Sequence, residues 1–298
     1  WYTPATYRSI SPGSPNGLNG WYDTVPSISL SSDYSTSIQY NWNSGTTRTY
    51  SGSLSAPQGS NRLYGRSKHT NGIWGDWYSW ALKVDSVAPT NPSSTFSHAM
   101  STPSNVATVT ASWGSAADST SGIAGISRSL DSGSVTIPDA TFDSGNSLVA
   151  GGLTTGEYFF HIRARDNAGN WSATMHYGPF QVDIDAPVAP VPAASAVGST
   201  TATISWPDVS DIGFGVSEYH VYLADGTPQD SVASPNLSLT GLIPGSYYEY
   251  YVVAEDRAGN LSYASSLVGV TTTSPDTTPP VTSASAAPTI ADGANDWF

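Results

Sequence analysis

The chain has 298 residues, with 23 acidic against 10 basic side chains, a formal net charge of −13 and no cysteine. A negative surface without any lysine or arginine cluster argues against nucleic acid as a partner, and the lack of cysteine removes disulfides, thiolate metal sites and thiol nucleophiles. Apolar runs extend for only a handful of residues, far short of the ~20 that a bilayer-spanning helix needs, so no membrane insertion of this segment is expected.

Helix formers are scarce: the chain has four glutamates and two lysines, whereas Tyr (17) and Trp (10) are plentiful. Short β-branched or alternating runs, such as Val106–Trp113 and Thr201–Trp206, are bounded by Gly, Pro, Asn and Asp. That pattern predicts an all-β protein of packed sandwiches rather than βαβ units.

In chain order, residues 1–10 can be laid on Trp77–Lys83, which predicts the last strand of a preceding module. Residues 11–86 open on Pro15-Asn16-Gly17-Leu18-Asn19-Gly20-Trp21-Tyr22 and form a first sandwich. Residues 87–184 and 185–275 form two more, and 276–298 begin a following module, because Asp292–Phe298 returns to the opening motif. Prolines at 12, 89, 187 and 279 mark the linkers. Strand, tight turn, strand and proline linker recur: Arg163-Ala-Arg-Asp-Asn-Ala-Gly-Asn170 leads to Val182-Asp183, and Val252–Asn260 leads to Asp276 and Pro279. The second and third modules also match at one constant offset, pairing Trp113 with Trp206, Asp118 with Asp211, Gly122 with Gly215 and Ile126 with Tyr219. The expected cores hold Trp113, Tyr158, Phe160 and Ile162 in one module, and Trp206, Tyr219, Val221, Tyr247 and Val253 in the next.

The B-strand tryptophans, the AGN turns, and the approaches Leu153–Tyr158 and Leu242–Tyr247 resemble bacterial fibronectin type III or Ig-like modules over residues 87–275. Residues 11–86, with their NGWY-type opening and Tyr40-Asn41-Trp42, resemble the Ig-like repeats of bacterial surface proteins. The resemblance implies a linear array of β-sandwiches in an extracellular or cell-surface bacterial protein. There it would be a non-enzymatic structural or adhesive spacer whose partners are the neighbouring modules of the same chain. Two other roles stay open: a carbohydrate-binding or substrate-positioning appendage of a secreted hydrolase that meets surface polysaccharide, and a filament or sheath subunit that contacts copies of itself.

Of the 23 acidic residues 19 are Asp, and many fall in turns that a sandwich topology gathers at the module junctions, where short carboxylates suit calcium. Asp183 and Asp185 of one linker should face Asp211 and Asp256, with Asp208 as a fifth carboxylate. The preceding junction offers Asp85, Asp118 and Asp166, and the linker with two aspartates is expected to bind first. The competing reading is that Asp166 and Asp256 cap their own AGN turns. No other cofactor is required.

Trp74, Trp77, Tyr78 and Trp80 form an aromatic cluster suited to stacking on sugar rings or to filling a small core. Regular strand alternation would place Trp74, Tyr78 and Trp80 on one side and Trp77 on the other. No catalytic residues are expected. Glu157, Glu218, Glu249 and Glu255 do not pair across one cleft, His161 and His220 are single strand histidines, and G-x-S-x-G, HExxH and P-loop motifs are missing.

Overall fold

The computed structural model describes residues 3–281, so the expectation of a following module at 276–298 lies, from residue 282 on, outside the described residues. Among these, every regular element is a strand, and the strands assemble into six small sheets that face each other in pairs. The architecture is that of consecutive β-sandwiches.

In the first sandwich, Tyr7–Ser11, Ser27–Ser31 and Leu54–Ser55 form one sheet. Arg48–Thr49, Ser35–Trp42, Gly59–His69 and Tyr78–Val84 form the other. Tyr7–Ser11 pairs antiparallel with Ser27–Ser31. The segment assigned by sequence to a preceding module is therefore the first strand of this sandwich. Ile28, Leu30, Leu63, Leu82 and Val84 fill the core, and Tyr40, Trp42 and Trp80 pack on it.

The second sandwich packs Ser94–Phe96, Val109–Trp113 and Ser147–Ala150 against Ile123–Asp131, Gly156–Asp166, Met175–Val182 and the short parallel strand Pro103–Ser104. Trp113 and Phe160 stack at its centre, with ring centroids 5.7 Å apart. The third packs Ala193–Ser195, Thr201–Ser205 and Asn236–Thr240 against Pro228–Val232, Val216–Leu223, Tyr247–Asp256 and Val268–Thr271. Its core is built on Trp206, Tyr219, Val221, Tyr250 and Val252.

The inward residues of Tyr247–Asp256 differ from expectation. Tyr250, Val252 and Ala254 are buried, Tyr248 packs beside them, and Tyr247 is 62% exposed. The run Tyr247-Tyr248-Glu249-Tyr250-Tyr251-Val252-Val253 carries an apolar residue on both faces, so alternation alone leaves its phase open. The structural partner of Tyr158 is therefore Tyr248. The Tyr158 hydroxyl donates to the Thr154 carbonyl at 3.0 Å, and the Tyr248 hydroxyl accepts from the Ile243 N–H at 2.9 Å.

The chain divides into two compact units. One holds residues Trp1–Ala186 together with Asp211–Gly215 and Asp256–Asn260, and the other holds Pro187–Ser210, Val216–Glu255 and the residues from Leu261 on. Within the first unit, the NGWY-type opening is a loop rather than a strand. Tyr22 makes a single bridge to Val84, while Leu18 N–H donates to Ala168 O at 2.7 Å and Asn19 Nδ2 to Asn167 O at 2.9 Å. A side chain at Gly17 would sit 2.5 Å from Ala168 O, so the close approach of the two backbones requires glycine there.

Candidate functional sites

Two acidic triads lie in the first unit. Carboxylate oxygens of Asp85, Asp118 and Asp166 fall within 4.8 Å of one another, as do those of Asp183, Asp211 and Asp256. Oxygens that share one calcium ion at 2.3–2.6 Å stand at most about 5 Å apart, so the spacing suits a hard divalent cation.

Most of these oxygens already have partners. Asp166 Oδ1 accepts from Gly169 N–H at 2.7 Å and Asn170 N–H at 2.8 Å, and Asp256 Oδ1 from Ala258 N–H at 2.7 Å and Asn260 N–H at 2.8 Å. Asp118 Oδ1 gathers the N–H groups of Thr120, Ser121 and Gly122, and Asp211 Oδ2 those of Gly213 and Gly215. The turn-capping role foreseen for Asp166 and Asp256 is therefore present. Two carboxylates are exceptions: Asp85 is fully buried, its Oδ1 accepts only a long bond from Val87 N–H, and its Oδ2 has no hydrogen-bond partner, while Asp211 Oδ1 likewise has none. An unpaired buried carboxylate oxygen is costly, and here it belongs to a carboxylate that shares a cluster with two others. In the second triad burial, followed by the charges of Asp211 and Asp256, raises the Asp183 carboxyl above the usual range. Asp185 is half-buried and gives its N–H to Asp183 Oδ1 at 3.4 Å, and Asp208 is exposed in the other unit.

Sequence reasoning missed the asparagines that close the AGN turns. Asn170 Nδ2 donates to the Asp85 carbonyl and to Asp166 Oδ2, both at 2.8 Å. Asn260 Nδ2 donates likewise to the Asp183 carbonyl at 2.8 Å and to Asp256 Oδ2 at 2.7 Å. The recurrence of Asn in both turns was the available signal.

The tryptophan cluster divides differently from regular alternation. Trp74 bridges Lys68 and Tyr78 pairs with Gly65, so one extra residue lies between these pairs and breaks the alternation; Trp74 and Trp77 both flank Arg66, whose guanidinium lies 4.8 and 4.6 Å from their ring centroids. Trp80 turns inward onto the core, and Tyr78 is exposed at the strand end. Arg66 Nε and Nη2 both donate to Gln39 Oε1, at 3.1 and 2.9 Å. Beside this stack a cavity of about 320 Å³ is lined by Asn41, Ser44, Gly45, Thr47, Tyr64 and Trp77.

His161 is fully buried, with Nε2 2.8 Å from Gly133 O and Nδ1 2.7 Å from His176 Nδ1. The carbonyl requires an N–H at Nε2, so Nδ1 accepts from His176. Burial, the largest influence, holds His161 below its ordinary pKa. In the third sandwich His220 bonds Glu255 Oε2 through Nε2 at 2.6 Å and Ser231 Oγ through Nδ1 at 2.7 Å, so both ring nitrogens are engaged, with Glu218 nearby.

No family model matches the sequence. The chain is 39% identical over 147 residues to Endoglucanase B of Cellulomonas fimi, covering 46% of this chain and 14% of that protein. It is 34% identical over 207 residues to Chitinase A1 of Niallia circulans, covering 66% of this chain and 28% of that one. Thus it spans little more than a quarter of the longer-matched relative. Among solved structures, a crystal structure of titin domains overlays with a TM-score of 0.44 at 13% identity, covering 92% of this chain and all of that one. The fold itself is that of consecutive Ig-like or fibronectin type III-like β-sandwiches. Regions similar to this chain occur within proteins named as an endoglucanase and a chitinase.

Proposed function

We propose that the chain is a non-catalytic spacer segment of a secreted bacterial polysaccharide-degrading protein, whose sandwiches hold other parts of that protein at a set distance and angle. The observation that supports this reading best is the clip between Asn170 and Asp85, which fastens the turn of the second sandwich to the linker that precedes it. Proline at 89 restricts the same linker further. Similarity to stretches of an endoglucanase and a chitinase favours the hydrolase appendage over a free adhesive stalk or a filament. The extracellular location follows from the same reading.

Calcium belongs to this proposal as a stiffening ion held by Asp85, Asp118 and Asp166. Asp85 Oδ2 is buried here without a partner, as Asp211 Oδ1 is in the second triad. Asp183, Asp211 and Asp256 offer a second site of the same chemistry.

Thermal unfolding with excess calcium and then with chelator tests the ion, since ligand binding to the folded state raises the midpoint by mass action. A rise that shrinks in Asp85→Asn and disappears in Asp85→Asn/Asp183→Asn is expected, and an unchanged midpoint overturns the calcium reading. Incubation with soluble cellulose and chitin oligomers is expected to release no reducing ends, and release would overturn the non-catalytic assignment.

A further inference from the structure

On the outer face of the four-stranded sheet of the first sandwich, Asn41 pairs with Tyr64 and Gln39 with Arg66 across neighbouring strands. Residues opposite each other in this way project to the same side, so Asn41, Tyr64, Gln39 and Arg66 share a face. Trp77 joins them through its stack on Arg66. Asn41, Tyr64 and Trp77, with the loop after Trp42, line the open cavity described above.

Three features distinguish this hollow from ordinary surface. Trp77 is 38% exposed, although its ring is held on one side by a guanidinium that Gln39 clamps in turn. Asn41 is only 7% exposed, and its side-chain oxygen has no hydrogen-bond partner. The loop is fixed in an unusual backbone conformation, with φ of +53° at Asn43 and +61° at Ser44, a region that serine rarely occupies. Asn43 Oδ1 accepts from Arg62 N–H at 2.8 Å, and Gly45 N–H donates to Trp42 O at 2.8 Å, which keeps the loop in place.

We infer that this hollow binds a neutral chain of β-linked pyranose units, with a sugar ring against Trp77 and Tyr64 and a hydroxyl or amide proton donated to Asn41. The inference rests on the proposed role in a polysaccharide-degrading protein and deepens it. An all-equatorial pyranose offers a flat C–H face to an aromatic ring and hydroxyls at its rim. The lining matches this chemistry: two aromatic rings, the Ser44 and Thr47 hydroxyls, an amide and no carboxylate. A volume of about 320 Å³ lies at the lower end of small-ligand sites, enough for a short stretch of chain. Because the Trp74–Arg66–Trp77 stack is already formed, little side-chain freedom is lost on binding.

The test is calorimetric titration of the full chain with cellohexaose and, separately, with chitohexaose. Binding of at least one is expected, weakened about tenfold or more in Trp77→Ala and in Tyr64→Ala. Tyr263→Ala, which removes a 91% exposed ring in the other unit, should leave it unchanged. Unfolding midpoints for each variant separate lost binding from lost fold. Absence of heat with both oligosaccharides, or affinity preserved in both Trp77→Ala and Tyr64→Ala, overturns the site. Either result leaves the spacer reading standing if no reducing ends are released, whereas release overturns that reading independently of the titration.

Discussion

The side-chain amide of Asn170 donates to the main-chain carbonyl of Asp85, 85 residues earlier in the chain, at 2.8 Å. Its second bond, to Asp166 Oδ2, fixes the amide within its own turn, so one side chain joins linker and hairpin. Replacing it leaves a carbonyl and a carboxylate oxygen unmet in a buried setting. Asn170→Ala is therefore expected to destabilise by about 1–3 kcal/mol in urea unfolding. A loss below about 0.5 kcal/mol would mean that solvent satisfies both acceptors.

The phase of the strand Tyr247–Asp256 predicts opposite outcomes for two tyrosines three residues apart. Tyr250 is fully buried among Trp206, Tyr219 and Val252, and Tyr250→Ala should cost about 3–5 kcal/mol. Tyr247 faces outward, and Tyr247→Ala should cost less than about 1 kcal/mol. Equal losses measured by chemical denaturation would contradict the register.

The buried His161 makes stability pH-dependent. Its pKa is lowered in the fold, chiefly by burial, while in the unfolded chain it takes up a proton near 6.5. Below that value the unfolded state binds more protons, so stability is full above about pH 6.5 and falls as the pH drops toward the depressed folded pKa. Protonation also places an N–H against the His176 donor. Unfolding midpoints across pH 7.5 to 5 should fall, and the slope should flatten in His161→Gln.

Asp183 works in the other direction. Its carboxyl is raised by burial and then by Asp211 and Asp256, so ionising it at neutral pH opposes folding, and the penalty is relieved as the pH falls through the raised value. In chelator at pH 7, Asp183→Asn is expected to raise the unfolding midpoint. With excess calcium the wild type should gain on the variant, because the ion would neutralise the same charge. A variant less stable than wild type in chelator would show that the bond from Phe214 N–H to Asp183 Oδ2 outweighs the repulsion.

Much of the fold was legible because its signals are local. Trp113 and Trp206 recur with the same flanking turns, and each sits at the centre of its sandwich. Both acidic triads were foreseen in part, since Asp118, Asp166, Asp211 and Asp256 fall in turns that topology gathers. What stayed hidden depends on geometry that composition does not carry. One extra residue between Trp74 and Tyr78 brings Trp74 and Trp77 together around Arg66, and Asn41 looks like a spacer between Tyr40 and Trp42 until its neighbours across the sheet are known. Doubled tyrosines and valines at 247–253 fit a core from either side.

The bond from Asn170 to Asp85, with its counterpart from Asn260 to Asp183, also bears on how such arrays grow and diversify. The piece that must travel together in a gene duplication or exchange is not the sandwich bounded by its prolines. It begins at the valine–aspartate pair before the proline, because the acidic triad downstream includes that aspartate's carboxylate. A recombination breakpoint placed between Asp85 and Pro89 would leave the transplanted module with an AGN turn that grips whatever backbone its new neighbour supplies. A main-chain carbonyl is offered by every residue type, so the grip tolerates a foreign predecessor while the carboxylate cluster does not. Swapping would then spread the sandwiches freely and restrict the acidic triads to arrays copied in register.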